Sequence, residues 1–124
     1  MNRGIVFDAG TPIFQQLADQ ISDDVLRGIH AEGERVPSIN ELAVFYRINP
    51  ATANRAVAQL VDKGVLVKQR GIGMFVAEGA RHLVAEERRG LLVDKHIAPL
   101  VAEARALGMD TDTLIAAIRK ESAS

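Results

Sequence analysis

The chain reads as a mostly α-helical protein with one small β element, and three features carry that reading. Between Pro37 and Lys63 two short stretches of helical periodicity are separated by the polar turn Ile48-Asn49-Pro50. Directly after them come two brief β-type runs, Val65-Leu66-Val67-Lys68 and Met74-Phe75-Val76, joined by Gln69-Arg70-Gly71-Ile72-Gly73. Past Ala77 the pattern changes to long helical stretches. Two helices, a tight turn and a trailing hairpin are the layout of a winged helix-turn-helix. In that arrangement one helix enters a DNA groove and the hairpin touches the backbone beside it. The expected architecture is a winged helix-turn-helix over residues 1–78 followed by a two-helix dimerisation tail over 79–124.

Each element has its own local cause. Ile5 to Asp8 suits a short strand or an extended arm. A first helix is expected from Pro12, a residue suited to the first helical position, with Thr11 as its N-cap. Phe14, Leu17, Ala18, Ile21 and Val25 recur at helical spacing and form its apolar stripe, and Gly28 stops it. Residues 28–35 read as a turn-rich link. Ser38 and Glu41 form an S-x-x-E capping box that opens the second helix, with Leu42, Ala43 and Phe45 as its buried face. The third helix has Asn49 as its cap and Pro50 at its first position, where no N–H is needed.

The third helix is the candidate groove helix, although taken alone its exposed face reads equally as the solubilising side of an amphipathic helix. Ala53, Ala56, Val57 and Leu60 point one way, while Ala51, Thr52, Asn54, Arg55 and Ala58 lie on other faces. A small, polar outer face lets a helix sit deep in a major groove with hydrogen-bonding groups at base edges. Gly64 ends it. In the hairpin that follows, glycines permit a sharp turn, and Arg70 at the tip is placed to meet phosphates or a minor groove. The Gly-x-Gly there is no dinucleotide fingerprint, because no helix starts after it.

The remainder reads as a long helix from Arg81 to Leu107, which Pro99 kinks or interrupts. Val93, Ile97, Leu100, Ala104 and Leu107 alternate by four and three residues, the seam spacing of packed helices. Gly108 breaks the helix, and Asp110 caps a last one carrying Leu114, Ile115 and Ile118. Two such helices do not make a full core alone. They fold back on the first domain or pair with a second copy. Pairing is favoured, because a winged helix usually needs two half-sites for adequate affinity.

Charge distribution supports a nucleic-acid partner. The chain of 124 residues has a net charge of −1, but the window from Arg35 to Phe75 holds six basic residues against Glu41 and Asp62, a local +4. Such a patch attracts phosphates. The absence of cysteine excludes disulfides, thiolate nucleophiles and cysteine metal sites. His30, His82 and His96 are too scattered to suggest a metal cluster, and no cofactor is expected. No apolar run approaches the length of a membrane span, and MNRGIVFDAGTP lacks the apolar stretch of a signal peptide, so the expected location is the cytoplasm. Asp23-Asp24 and Glu86-Glu87 are adjacent pairs whose side chains leave a helix on different faces, so neither makes an acid–base site, and no enzyme is expected.

The residues also resemble a known family. Gly33-Glu34-Arg35-Val36-Pro37-Ser38, Glu41-Leu42-Ala43, Ala56 to Leu60, Gly64-Val65-Leu66 and Gly71-Ile72-Gly73-Met74-Phe75-Val76 follow the winged-helix pattern of the GntR family of bacterial transcriptional regulators. The resemblance covers residues 12–77. Pro12-Ile13-Phe14-Gln15-Gln16 and Ile48-Asn49-Pro50-Ala51-Thr52 look most like its YtrA subfamily, which carries only a short two-helix tail. The resemblance implies a homodimer on an inverted-repeat operator of double-stranded DNA, commonly a repressor. Its DNA-contacting positions correspond to Ser38, Asn40, Asn49, Thr52, Asn54, Arg55, Arg70 and Gly71. Asn40 and Asn54 depart from the basic residues usual there, and an amide lacks arginine's bidentate contact to guanine. The helix seams name Val93, Ile97, Leu100, Ala104, Leu107, Leu114 and Ile118 for dimerisation.

Two regulatory alternatives stay open: an unidentified small apolar ligand lodged between the dimer helices, and a repressor controlled by its own abundance. A winged-helix adaptor without sequence-specific DNA binding is the competing class. It predicts no salt-dependent DNA binding.

Overall fold

The computed structural model describes residues 7–124. The chain divides into two compact units, Met1–Glu86 and Glu87–Ser124. Of the expected N-terminal strand, Ile5 and Val6 lie outside the described residues, and Phe7 and Asp8 belong to no strand.

The first unit holds α1 (Ile13–Leu26), β1 (Arg35–Val36), α2 (Ile39–Tyr46), α3 (Pro50–Asp62), β2 (Leu66–Gln69) and β3 (Gly73–Val76), and α4 (Ala80–Leu92) begins in it. Three helices and a three-stranded sheet enclose one core, in which Leu17, Leu42, Leu60 and Leu66 are the largest fully buried side chains. Each such leucine contributes roughly 1.5–3 kcal/mol by leaving water. Leu17, Ala18, Ile21 and Val25 of α1 meet Ala53, Ala56, Val57 and Leu60 of α3 in that core. The alanines keep α3 close to its neighbours. Ala80 and Val84 of α4 are buried in the same core.

Several local expectations are corrected here. Pro12 is the N-cap of α1 with ψ of 140°, and Thr11 does not cap it. No side chain caps this helix; Gln16 instead ties down the chain ahead of it, its Nε2 donating to the carbonyls of Thr11 (2.7 Å) and Asp8 (2.9 Å) and its Oε1 accepting the Asp8 amide (3.1 Å). In α2 the buried aromatic is Tyr46, not Phe45, which is 42 % exposed. At 100° per residue, position 46 falls between the buried 42 and 43, and position 45 swings away. Residues 28–35 are more than a link, because Arg35 and Val36 pair antiparallel with Phe75 and Met74. The sheet order is therefore β1-β3-β2. A two-residue strand has no periodicity of its own, so only its partner reveals it.

Asp24, His30 and Tyr46 bring polar atoms into the core. Gln20 Nε2 donates to Asp24 Oδ1 (3.1 Å), and His30 Nε2 lies 4.0 Å from Asp24 Oδ2. Burial holds the His30 pKa below its ordinary value, with the Asp24 and Glu34 charges opposing. At the start of α4 the Glu32 carboxylate accepts the Gly79 (2.6 Å) and Arg81 (3.4 Å) amides, satisfying donors that a helix start leaves open.

The helix expected over 81–107 is interrupted next to Pro99, as the sequence indicated. After α4 comes a π-helical turn, Val93–Ile97, then α5 (Ala98–Ala106). Pro99 lies in the first turn of α5. It lacks an N–H, and its ring crowds the carbonyl one turn back. Widening that turn, so that the Ala98 N–H reaches the Val93 carbonyl, gives the ring room. Asp110 caps α6 (Thr111–Ser122) by accepting the Thr113 amide at 2.8 Å.

Candidate nucleic-acid interface

The orientation of α3 is set by its start. Asn49 Oδ1 accepts the Ala51 amide at 2.8 Å, and the Asn49 carbonyl accepts those of Thr52 (2.9 Å) and Ala53 (3.1 Å). Pro50 has no N–H. The backbone donors of this first turn are thus already engaged. What the exposed end offers an anion is the positive helix terminus and the Asn49 side-chain amide, with no free run of N–H groups. Behind it, Arg47 closes α2 in the left-handed region at φ 55° and ψ 51°.

Ser38 and Asn40 sit at the opening of α2. The capping box is complete: Ser38 Oγ accepts the Glu41 amide (3.1 Å), and Glu41 Oε1 accepts the Ser38 amide (3.0 Å). These bonds, the backbone one foremost, hold the Glu41 carboxyl below its usual range. The two residues part company beyond the cap. Ser38 lines a cleft with Arg35, Lys68, Gly71 and Gly73, which joins the start of α2 to the wing. Asn40 borders a separate apolar surface with Pro37, Val44 and Phe45.

The wing is a hairpin in which Leu66 opposes Val76 and Gln69 opposes Gly73. Its strands begin one residue later than Val65 and one earlier than Met74. The exposed tip is Arg70-Gly71-Ile72, closed by the Ile72 amide on the Gln69 carbonyl at 3.0 Å. Gly71 has φ of 79°, a value that favours glycine. Gly73, at φ 141°, has a second reason to lack a side chain, because a Cβ there would stand 2.8 Å from Arg35 Nε. Arg35 therefore lies against the wing, a basic neighbour that sequence reasoning left outside the site. Its placement on a strand paired with β3 is the signal that identifies it. Ile72, 61 % exposed, was missed as well, although an apolar residue between two tip glycines marks it.

On α3, Asn54 and Arg55 are exposed and Thr52 is half-buried. Arg55 does not stand free: its guanidinium carbon lies 3.9 Å from the centre of the Phe14 ring on α1. In the tail, Val93, Ile97, Leu100, Leu107 and Ile118 are 42–67 % exposed, Leu114 is half-buried and Ala104 is buried. Leu100, Leu114, Ala117 and Ile118 line an apolar groove within that unit. Among the described residues no cluster of His, Asp or Glu is arranged to hold a metal, and no helix is long and apolar enough to cross a membrane.

Comparison with known proteins places this geometry. The repressor YtrA of Bacillus subtilis (strain 168), an HTH-type transcriptional repressor, is 29 % identical over 115 residues, spanning 93 % of this chain and 88 % of YtrA. A GntR-family crystal structure from Bacteroides thetaiotaomicron superimposes with a TM-score of 0.75 at 31 % identity, covering 87 % of this chain and 94 % of that one. The crystal structure of AraR(DBD) in complex with operator ORX1 matches with a TM-score of 0.55 at 25 % identity, covering 60 % of this chain and 95 % of that one. The sequence pattern of the family described as bacterial regulatory proteins, gntR family, matches residues 13–76. Because that match runs from α1 through both helices of the helix-turn-helix to the last wing strand, the chain belongs to the gntR family of bacterial regulatory proteins.

Proposed function

We propose that the protein is a homodimeric, sequence-specific DNA-binding repressor, with residues 1–78 as the reading head and 79–124 as the dimerisation tail. The observation that carries this is the pairing, in one compact unit, of a rigidly capped helix with a small polar outer face and a basic glycine-bent wing. The relatives support it: YtrA is a repressor, and AraR(DBD) is bound to operator DNA. Thr52 and Asn54 read base edges, Arg55 flanks them, and Asn49 meets a phosphate. Arg70 and Gly71 hold the neighbouring backbone or minor groove, and Ser38 and Asn40 fix the orientation. The repressor acts where the DNA is, in the cytoplasm.

The exposed Val93, Ile97, Leu100, Leu107 and Ile118 supply an apolar surface for the second copy. Two heads held about one DNA turn apart, roughly 34 Å, fit an inverted repeat. A small effector, if the cell has one, acts only by binding one head spacing better than another. Selection of bound duplexes from a random library, followed by footprinting on the gene's own promoter, tests the reading. An inverted repeat, and its loss with Arg70→Ala, is expected. Binding that ignores sequence refutes it, as does a protein that sediments identically with and without Leu100→Glu. Thermal shift against a metabolite panel separates an effector from control by abundance.

A further inference from the structure

Arg55 springs from the outer face of α3, beside the exposed Ala51 and Ala58, yet its guanidinium reaches sideways to α1 and stops 3.9 Å over Phe14. Phe14 is half-buried and packed against the core, so the ring is a fixed platform. A cation over an aromatic face is attracted by the ring quadrupole. That contact uses none of the five in-plane N–H donors of the guanidinium. No carboxylate of the described residues forms an ion pair with Arg55, so these donors remain for oxygen ligands from outside.

We propose that Phe14 is a positioning residue which holds Arg55 at the α1 flank of the reading face as a clamp for a DNA backbone phosphate. The inference rests on the DNA-binding reading above and refines it. The outer line of α3 is kept short by Ala51 and Ala58, which suits the groove floor. A guanidinium drawn toward α1 lies instead at the rim, where a strand backbone runs. Holding the side chain before DNA arrives removes part of the rotamer freedom that binding would otherwise have to freeze. Phe14 touches no DNA in this account and acts only through Arg55.

The test is a double-mutant cycle on the full chain, read by fluorescence anisotropy against a random-sequence duplex of about 30 base pairs over a salt titration. Arg55→Ala should weaken binding to random and selected duplexes alike and reduce the slope of log K against log salt by about one. Phe14→Leu keeps the apolar fill and loses the ring face. It should cost about two- to fivefold in affinity, and nothing further on an Arg55→Ala background. Phe14→Tyr should restore wild-type binding. Without DNA, the Arg55 Nε–H resonance should carry a ring-current shift that Phe14→Leu abolishes.

Equal losses from Phe14→Leu in both backgrounds overturn the proposal, as does an Arg55 resonance at the position of free arginine. That resonance decides even where Phe14→Leu fails to fold. An Arg55→Ala effect confined to the selected duplex means a base contact and also overturns it. These failures leave the repressor reading intact. A wild-type chain that binds no duplex removes both.

Discussion

Asn49 caps α3 and, in the proposed interface, also meets a phosphate, so substitutions there should pull stability and DNA affinity apart. Asn49→Ala removes the oxygen that accepts the Ala51 amide at 2.8 Å. Loss of such a cap costs about 1 kcal/mol. For a chain of this size that lowers Tm by about 4 °C. Asn49→Asp keeps the acceptor and adds a negative charge at the positive end of α3, so Tm should hold or rise slightly. Toward DNA the order reverses. In the proposed interface, an aspartate would put a like charge where the Asn49 amide meets the phosphate. Taking a separation of about 5 Å, the repulsion is about 0.8 kcal/mol in bulk water and about 3 kcal/mol at an effective dielectric of 20. Affinity should therefore fall roughly fourfold to two hundredfold, without loss of fold stability. Thermal melts and duplex-binding anisotropy on the three proteins measure both quantities. An Asn49→Asp protein that melts as low as Asn49→Ala would show that the cap does not set this helix. One that binds duplex as tightly as the parent would remove Asn49 from the interface.

Four further outcomes follow from the core and the backbone. Tyr46 is the sole tyrosine, and burial, aided by the Asp24 charge, pushes its pKa up to about 12. The folded value lies above the ordinary one of 10, so its stabilisation is complete below pH 10 and lost as pH rises through about 12. Phenolate absorbance should appear near that upper value, and a midpoint at 10 contradicts the burial. Its hydroxyl has no partner among the described residues, so Tyr46→Phe should leave stability unchanged or raise it by up to about 1 kcal/mol in denaturant titration. For His30 the folded pKa is depressed, so its contribution is present above pH 6.5 and is lost as pH falls below that value. His30→Gln should flatten the Tm profile on the acid side, and an unchanged slope would contradict the assignment. Arg47 sits at φ 55°, where a side chain costs roughly 1 kcal/mol. Arg47→Gly should match or exceed the parent in denaturant stability, and Arg47→Val should fall below it. Equal stabilities would show that the turn carries no strain.

Local hydrogen-bond chemistry made much of this protein legible before any fold was known. The Ser38–Glu41 box, the Asn49 and Asp110 caps, the proline at the start of α3 and the glycine-bent tip each satisfy groups within a few residues of themselves. The helix-turn-helix and its wing followed from the order of those signals, and with them the family. What escaped has partners far along the chain. Arg35 becomes a strand and a wing neighbour only because Phe75 and Gly73 come to lie beside it. Glu32 closes the start of α4 from 47 residues away. The basic window near Arg55 was visible in the sequence, yet the ring that holds its guanidinium belongs to Phe14, in another helix. The interruption at Pro99 was legible from the proline itself, whereas its form, a wider π turn one turn upstream that accommodates the ring, was not. Caps and turns are decided by neighbours in sequence; the direction in which a long, exposed side chain points is decided by whichever surface the folded chain brings within its reach.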